Sequence, residues 1–167
     1  INYVFDYKYY ADHNLDLYNA YGYNANALKW HWENCGKAEG RKASSIFDAK
    51  YYVQNNADLA VFKNDYVGAY NHFMNYGYAE YRKSSPEYDG NFYRKNNGDL
   101  RNMTSMELIR HFSLYGKKEL RKANTNYDIV SFLFDPSIYA QMNPDVVNVL
   151  GYDSNRLQEH WYRYGIQ

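Results

Sequence analysis

Five histidines in a chain with 19 Asp and Glu residues raise acid–base catalysis or metal binding as the first possibilities. Imidazole and carboxylate move protons near neutral pH and hold divalent metals. The spacing argues against both. His31, His72, His111 and His160 each precede an aromatic residue and lie five residues before a glycine: His31-Trp32 to Gly36, His72-Phe73 to Gly77, His111-Phe112 to Gly116, His160-Trp161 to Gly165. A histidine at one place in four stretches of chain belongs to a repeated framework. Rings on separate helical layers, on the order of 10 Å apart, cannot share one metal ion. These four read as half-buried imidazoles hydrogen-bonded to backbone or to an Asp or Glu of their own stretch. His13 does not recur and reads as a surface residue.

Arginine is the next candidate. Three stretches close with Glu-x-Arg, as Glu39 and Arg41, Glu80 and Arg82, Glu119 and Arg121. A guanidinium fork pairs bidentately with carboxylates, so Arg82 is placed to reach Asp58 or the following Asp89. That reads as a clamp between neighbouring copies, with capture of an acidic ligand as the rival. Cys35 is the only cysteine, which excludes a disulfide framework and a cysteine-rich zinc site. It holds the slot of Tyr76, Tyr115 and Tyr164 and reads as a buried packing residue. No Ser/His/Asp triad, phosphate-binding glycine loop, zinc signature or EF-hand loop occurs, so neither catalysis, cofactor nor metal is expected.

The elements that carry these residues repeat along the whole chain. Each copy opens with an aromatic-Asp pair and, two residues on, a hydrophobic pair: Phe5-Asp6 with Tyr9-Tyr10, Phe47-Asp48 with Tyr51-Tyr52, Tyr88-Asp89 with Phe92-Tyr93, Phe134-Asp135 with Ile138-Tyr139. Asn-x-Asp and an aliphatic residue come next, at Asn14, Asp16 and Leu17, at Asn56, Asp58 and Leu59, at Asn97, Asp99 and Leu100, and at Asn143, Asp145 and Val146. The opening aromatics lie 42, 41 and 46 residues apart, and the segment 124–133 lengthens the last interval into a joint. The boundaries are about 5–46, 47–87, 88–133 and 134–167 in one repeat domain spanning 1–167.

Three short helices per copy are expected. Asp6, Asp48, Asp89 and Asp135 are N-caps of the first, and Asn14, Asn56, Asn97 and Asn143 of the second, with Pro136 and Pro144 at first helical positions. The third begins near Asn24, Asp65, Thr104 and Asp153, with a capping box at Thr104 to Glu107. Leu28, Trp32 and Cys35 fall at i, i+4, i+7, as do Ala69, Phe73 and Tyr76, Leu108, Phe112 and Tyr115, and Leu157, Trp161 and Tyr164. That is an apolar stripe facing the core, ended by a glycine in the left-handed conformation. Period-2 alternation is weak. The fold class is all-α: four tandem helical repeats packed as a compact, solenoid-like array.

The pattern Phe-Asp-x-x-Tyr-Tyr, Asn-x-Asp-Leu, His-Phe-x-x-Tyr-Gly, Glu-x-Arg resembles an aromatic helical repeat found in tandem in bacterial secreted and cell-surface proteins, often beside hydrolase or glycosyltransferase modules. Gly36-Lys37-Ala38-Glu39-Gly40-Arg41 is closest to that family's closing box; Tyr81 and Leu120 replace its second glycine, and the fourth copy stops before the box. The resemblance implies a secreted or cell-surface, non-catalytic accessory role, with docking of carbohydrate-active enzymes within a multi-enzyme scaffold as one form of it.

Composition narrows the partners. Lys+Arg and Asp+Glu both total 19, so no basic field attracts nucleic acid. No apolar run approaches the roughly 20 residues that span a bilayer, so membrane insertion is not expected. The chain opens at Ile1 without a signal-peptide pattern and reads as an excised fragment. Asn102-Met103-Thr104 is a glycosylation acceptor if the host glycosylates the chain. Tyrosine is abundant, at 22 residues, and suits both thin helical layers and recognition surfaces. Positions at which copies differ are the place to look for function. Trp30, Tyr18, Tyr23, Tyr66, Tyr78, Tyr81 and Tyr162 form the candidate contact set, for another protein or for a neutral polysaccharide.

Overall fold

The computed structural model describes residues 2–124, 134, 136–161 and 164. It is mostly helical, and the described residues form no strand beyond an isolated bridge between Lys83 and Asp89. Asp135, Tyr162, Gly165 and the joint residues 125–133 lie outside the described residues.

In the first copy α1 (Tyr7–Asp12), α2 (Leu15–Tyr21) and α3 (Ala25–His31) succeed one another. The second has α4 (Ala49–Gln54), a 3-10 turn (Ala57–Phe62) and α5 (Tyr66–His72), and the third α6 (Gly90–Asn96), a 3-10 turn (Gly98–Leu100) and α7 (Ser105–His111). The fourth has α8 (Pro136–Met142), α9 (Pro144–Leu150) and α10 (Ser154–His160). The expected caps hold the first and third helices. Asp6 accepts from the amides of Lys8 and Tyr9, Asp48 from Tyr51 and Asp89 from Phe92. Asn24, Asp65, Thr104 and Asp153 cap the third helices, with Thr104 and Glu107 forming the full capping box.

The asparagines behave differently from the expectation. None of Asn14, Asn56, Asn97 and Asn143 caps with its side chain. Each instead donates from Nδ2 to a carbonyl four residues back, those of Tyr10, Tyr52, Tyr93 and Tyr139, at 2.7–2.9 Å. The amide closes the end of the preceding helix, whose last carbonyls have no helical partner.

The third helix departs more from the sequence pattern. After His31, His72 and His111 it passes into a five-residue π-turn over Trp32–Gly36, Phe73–Gly77 and Phe112–Gly116. One additional residue in the turn rotates the succeeding side chains by about 100°. The i+7 residue therefore leaves the core: Tyr76, Tyr115 and Tyr164 are exposed and Cys35 is half-buried, while the next residue, Gly36, Gly77 or Gly116, turns inward and is buried. These glycines are not left-handed. A Cβ on any of them would collide with the hydroxyl of Tyr10, Tyr52 or Tyr93 from the first helix of its copy.

The left-handed residue comes four positions later, at Gly40, Tyr81 and Leu120, with φ of 66°, 55° and 54°. There the amides of Arg41, Arg82 and Arg121 bond the carbonyls of Gly36, Gly77 and Gly116 at 3.0–3.1 Å, and the residues before them bond three back. This is a Schellman stop, which favours glycine because a Cβ is strained there by about 1–2 kcal/mol. Leu120 is exposed, so Leu120→Gly is expected to raise stability by about 0.5–1 kcal/mol after the added freedom of the unfolded chain is deducted. A urea midpoint below that of the wild type would contradict this reading.

Each of the first three copies is closed on itself by a backbone bond from its opening aspartate to the residue two beyond its arginine: Asp6 to Ala43 at 2.8 Å, Asp48 to Ser84 at 2.9 Å, Asp89 to Ala123 at 2.7 Å. Tyr10, Leu28 and Trp32 lead the core of the first copy. The second and third share one continuous core that includes Phe47, Tyr52, Phe73, Tyr93 and Phe112. Leu157 is buried in the fourth. The connecting segments stack in the interior, where Ser84 Oγ donates to the Ile46 carbonyl, Ser85 Oγ to Ser45 and Asn124 Nδ2 to Ser85.

A solenoid would let each copy touch only its chain neighbours. Here the first copy meets the second through Trp32 and Tyr70, with ring centroids 6.1 Å apart. It meets the third through Lys117, 5.5 Å above the Tyr9 ring, and the fourth through the Tyr18–Tyr152 stack at 5.3 Å. The copies gather around the first one. No helix of the described residues is long and apolar enough to cross a membrane.

Candidate functional site

The residues with the most chemical side chains divide into framework, exposed rings and one unrepeated polar cluster. The four recurring histidines are framework. His31, His72, His111 and His160 are half-buried, and Nδ1 of each shares a hydrogen bond of 2.8–2.9 Å with the hydroxyl of Tyr10, Tyr52, Tyr93 or Tyr139. The expected carboxylate or backbone partner is thus a phenol. Burial raises the pKa values of Tyr10, Tyr52 and Tyr93, so these hydroxyls remain protonated and able to donate.

The arginines are framework too, but within copies. Arg41 Nη1 lies 2.7 Å from Asp16, Arg82 Nη1 2.7 Å from Asp58 and Arg121 Nη1 2.7 Å from Asp99. The Nε of each lies 2.5 Å from the glutamate of its own Glu-x-Arg box. Arg82 reaches Asp58 and not Asp89, which makes the clamp intra-repeat. Hydrogen bonding by the arginine holds Asp16, Asp58 and Asp99 below the usual carboxylate range. With both faces of the fork occupied, the rival role of seizing an acidic ligand would require breaking the clamp.

Of the candidate contact residues, Trp30 is 60% exposed. The other described ones are half-buried and packed. Tyr18 stacks on Tyr152 and meets Tyr23 edge-on, while the Tyr23 hydroxyl donates to Asp12 at 2.7 Å. Tyr66 covers Gly40, Tyr78 lies against the shared core, and Tyr81 sits under the Arg94 guanidinium at 4.4 Å. The exposed rings are others. Tyr76, Tyr115 and Tyr164 are 59%, 53% and 64% exposed, and each contacts its own histidine ring at 5.0–5.7 Å. Their i+7 spacing points to the core only if the α-helix runs on uninterrupted, and the π-turn breaks it.

A polar cluster sits where the first three copies meet. The Tyr9 hydroxyl donates to Glu87 Oε1 at 2.6 Å, Lys42 Nζ lies 2.5 Å from the same oxygen, and His13 stacks on Tyr9 with centroids 3.8 Å apart. Burial alone would raise the Glu87 carboxyl, but Lys42 and Lys117 outweigh it, together with hydrogen bonds from Lys42 and Tyr9, and bring it to about 2. Burial, reinforced by Lys42, lowers His13 to about 4. Burial raises Tyr9 and lowers Lys117. His13 is half-buried rather than a surface residue. Glu87 carries no signal beyond its failure to recur, and Lys117 holds the slot of Lys37 in the first copy, which marks it as framework rather than site.

Beside this cluster, between the first and third copies, opens a cleft of about 340 Å³ bordered by Tyr3, Asp6, Tyr7, Ser113, Leu114 and Lys117. Among the described residues no group of three or more His, Cys, Asp and Glu is arranged to hold a metal ion. Comparison with protein-family models, with curated proteins and with solved structures finds no match to this chain.

Proposed function

We propose that this protein is a non-catalytic recognition module that binds another protein, serving as a scaffold or adhesion element of an extracellular or cell-surface assembly, with docking of an enzyme-borne module as one form of that role. The observation that supports this reading is the exposure of Tyr76, Tyr115 and Tyr164 at one slot of the repeat, with Trp30 as a further exposed ring. Large, stiff aromatic rings lose little entropy on binding and dominate interface energetics, and stacking on a half-buried histidine orders them further. The recurring histidines and arginines are engaged with tyrosine and carboxylate partners, and these rings are the most exposed aromatic groups among the described residues.

A pull-down from the native secretome with wild-type protein is expected to recover a protein at micromolar concentration. The triple variant Tyr76→Ser, Tyr115→Ser, Tyr164→Ser is expected to lose at least tenfold of that binding with its urea midpoint little changed. Recovery of no protein, or undiminished binding by the triple variant, would count against the reading.

Binding of a neutral polysaccharide is the second reading. It is favoured by one observation, a cleft that combines aromatic walls with polar groups of both signs.

A further inference from the structure

One polar group at the cleft between the first and third copies has no hydrogen-bond partner among the described residues, and two others keep hydrogen-bonding capacity. Ser113 Oγ is buried and meets no hydrogen-bond partner. A buried hydroxyl left unpaired costs about 1–3 kcal/mol, so such groups are uncommon without a reason. Lys117 Nζ rests over the rings of Tyr9 and Phe112 at 5.5 and 5.7 Å, and Glu87 and Asp6 act on it through space without a salt bridge among the described residues, so its N–H groups can still donate. Asp6 uses Oδ1 to cap α1 at the amides of Lys8 and Tyr9, leaving Oδ2 to act as an acceptor.

The walls are equally specific to this place. Tyr7 occupies the slot held by Ala49, Gly90 and Pro136 in the other copies, and Ser113 that of Glu33, Met74 and Tyr162. Neither half-buried Tyr3 nor half-buried Tyr7 pairs with another aromatic ring among the described residues. Tyr3 packs against the core shared by the second and third copies and Tyr7 against that of the first, and each also borders the cleft. The repeat framework does not require a tyrosine at position 7.

We infer that this cleft is a glycan site that seats a neutral pyranose ring. The inference rests on the second of the two readings above. The apolar face of a sugar lies against the rings of Tyr3 and Tyr7, and its hydroxyls meet a donor at Lys117, an acceptor at Asp6 and Ser113, once side-chain rotation turns the buried serine Oγ to the cleft. Charge decides for a neutral sugar over an acidic one. Lys42 and Lys117 are balanced locally by Glu87 and Asp6, so the cleft offers hydrogen-bonding groups without a net field for an anion. A volume of about 340 Å³ is at the small end for ligand pockets and suits one or two sugar units.

Affinity electrophoresis of the full chain in gels containing galactomannan, xyloglucan, mixed-linkage β-glucan or pectin tests this. Retardation by at least one neutral polysaccharide is expected, weakened about tenfold in Tyr7→Ala and about fivefold in Ser113→Ala. The second variant removes a hydroxyl that has no partner in the protein, so it folds at least as well as the wild type and serves as the control for the first. Tyr21→Ala, at an exposed ring that does not border the cleft, is expected to leave retardation unchanged. Retardation that survives both cleft variants and falls in Trp30→Ala overturns the cleft while sustaining glycan binding. Retardation by pectin alone that salt abolishes overturns the neutral sugar. No retardation in any gel overturns the cleft and the glycan reading together.

Discussion

Replacing Gly77 by alanine is expected to destabilise the protein by about 3 kcal/mol or more, among the largest effects of a single methyl group in this chain. The new Cβ falls on the hydroxyl of Tyr52, a ring fully buried and held by Phe47, Phe73 and His72. Tyr52 cannot retreat without giving up its 2.9 Å bond to His72 Nδ1 and opening the core shared by the second and third copies. A helix-propensity argument makes the opposite forecast, since alanine is favoured over glycine inside a helix by about 1 kcal/mol. The two are separable by the urea midpoint of Gly77→Ala. In the double variant Gly77→Ala, Tyr52→Phe the clash is reduced, so part of the loss is expected to return; an additive double variant would reject the hydroxyl as the cause.

Acidification is expected to remove several kcal/mol of stability in two steps, both centred on the junction of the first three copies. His13 has a folded pKa of about 4 against an ordinary 6.5, so it favours folding above pH 6.5 and that contribution is lost as pH falls toward 4. Glu87 has a folded pKa of about 2 against an ordinary 4.5. Its contribution is present above pH 4.5 and is lost as pH falls toward 2. Each step is worth about 3 kcal/mol at most, at 1.36 kcal/mol per pKa unit. Urea midpoints measured from pH 7 to pH 3 are expected to fall across both windows. His13→Gln is expected to flatten the upper window and Glu87→Gln the lower one. A wild-type midpoint constant between pH 6.5 and 4 would remove His13 from the account.

The repeat, its helical class and its caps are legible in the sequence because they depend on local chemistry that recurs. Asp6, Asp48 and Asp89 cap where an aspartate before a helix should, and Thr104 with Glu107 forms the expected box. The π-turn is not legible. Its cause is the buried tyrosine of the first helix, which needs a residue without a side chain opposite its hydroxyl, and nothing in the spacing of Phe73 and Tyr76 announces it. For that reason spacing assigns Tyr76, Tyr115 and Tyr164 to the core, whereas they lie on the surface. Asn14 illustrates a second limit: an asparagine between two helices can serve either, and its Nδ2 serves the one before it. At the cleft and the polar cluster, Tyr7 comes from the first copy, Glu87 from the second, and Ser113 and Lys117 from the third, with no shared pattern to link them. Only the packing of the first three copies against one another brings them together.

Because the first copy touches the second, third and fourth, the assembly of this molecule is not a matter of adding one unit to the end of another. Tyr18 and Tyr152 are held face to face across most of the chain, and that contact closes only after a long loop has been ordered. Folding that begins in the middle copies cannot finish as a one-dimensional zipper would, and deleting an internal copy would misplace pairs rather than shorten a stack. Recurring sequence, in this protein, does not make interchangeable parts.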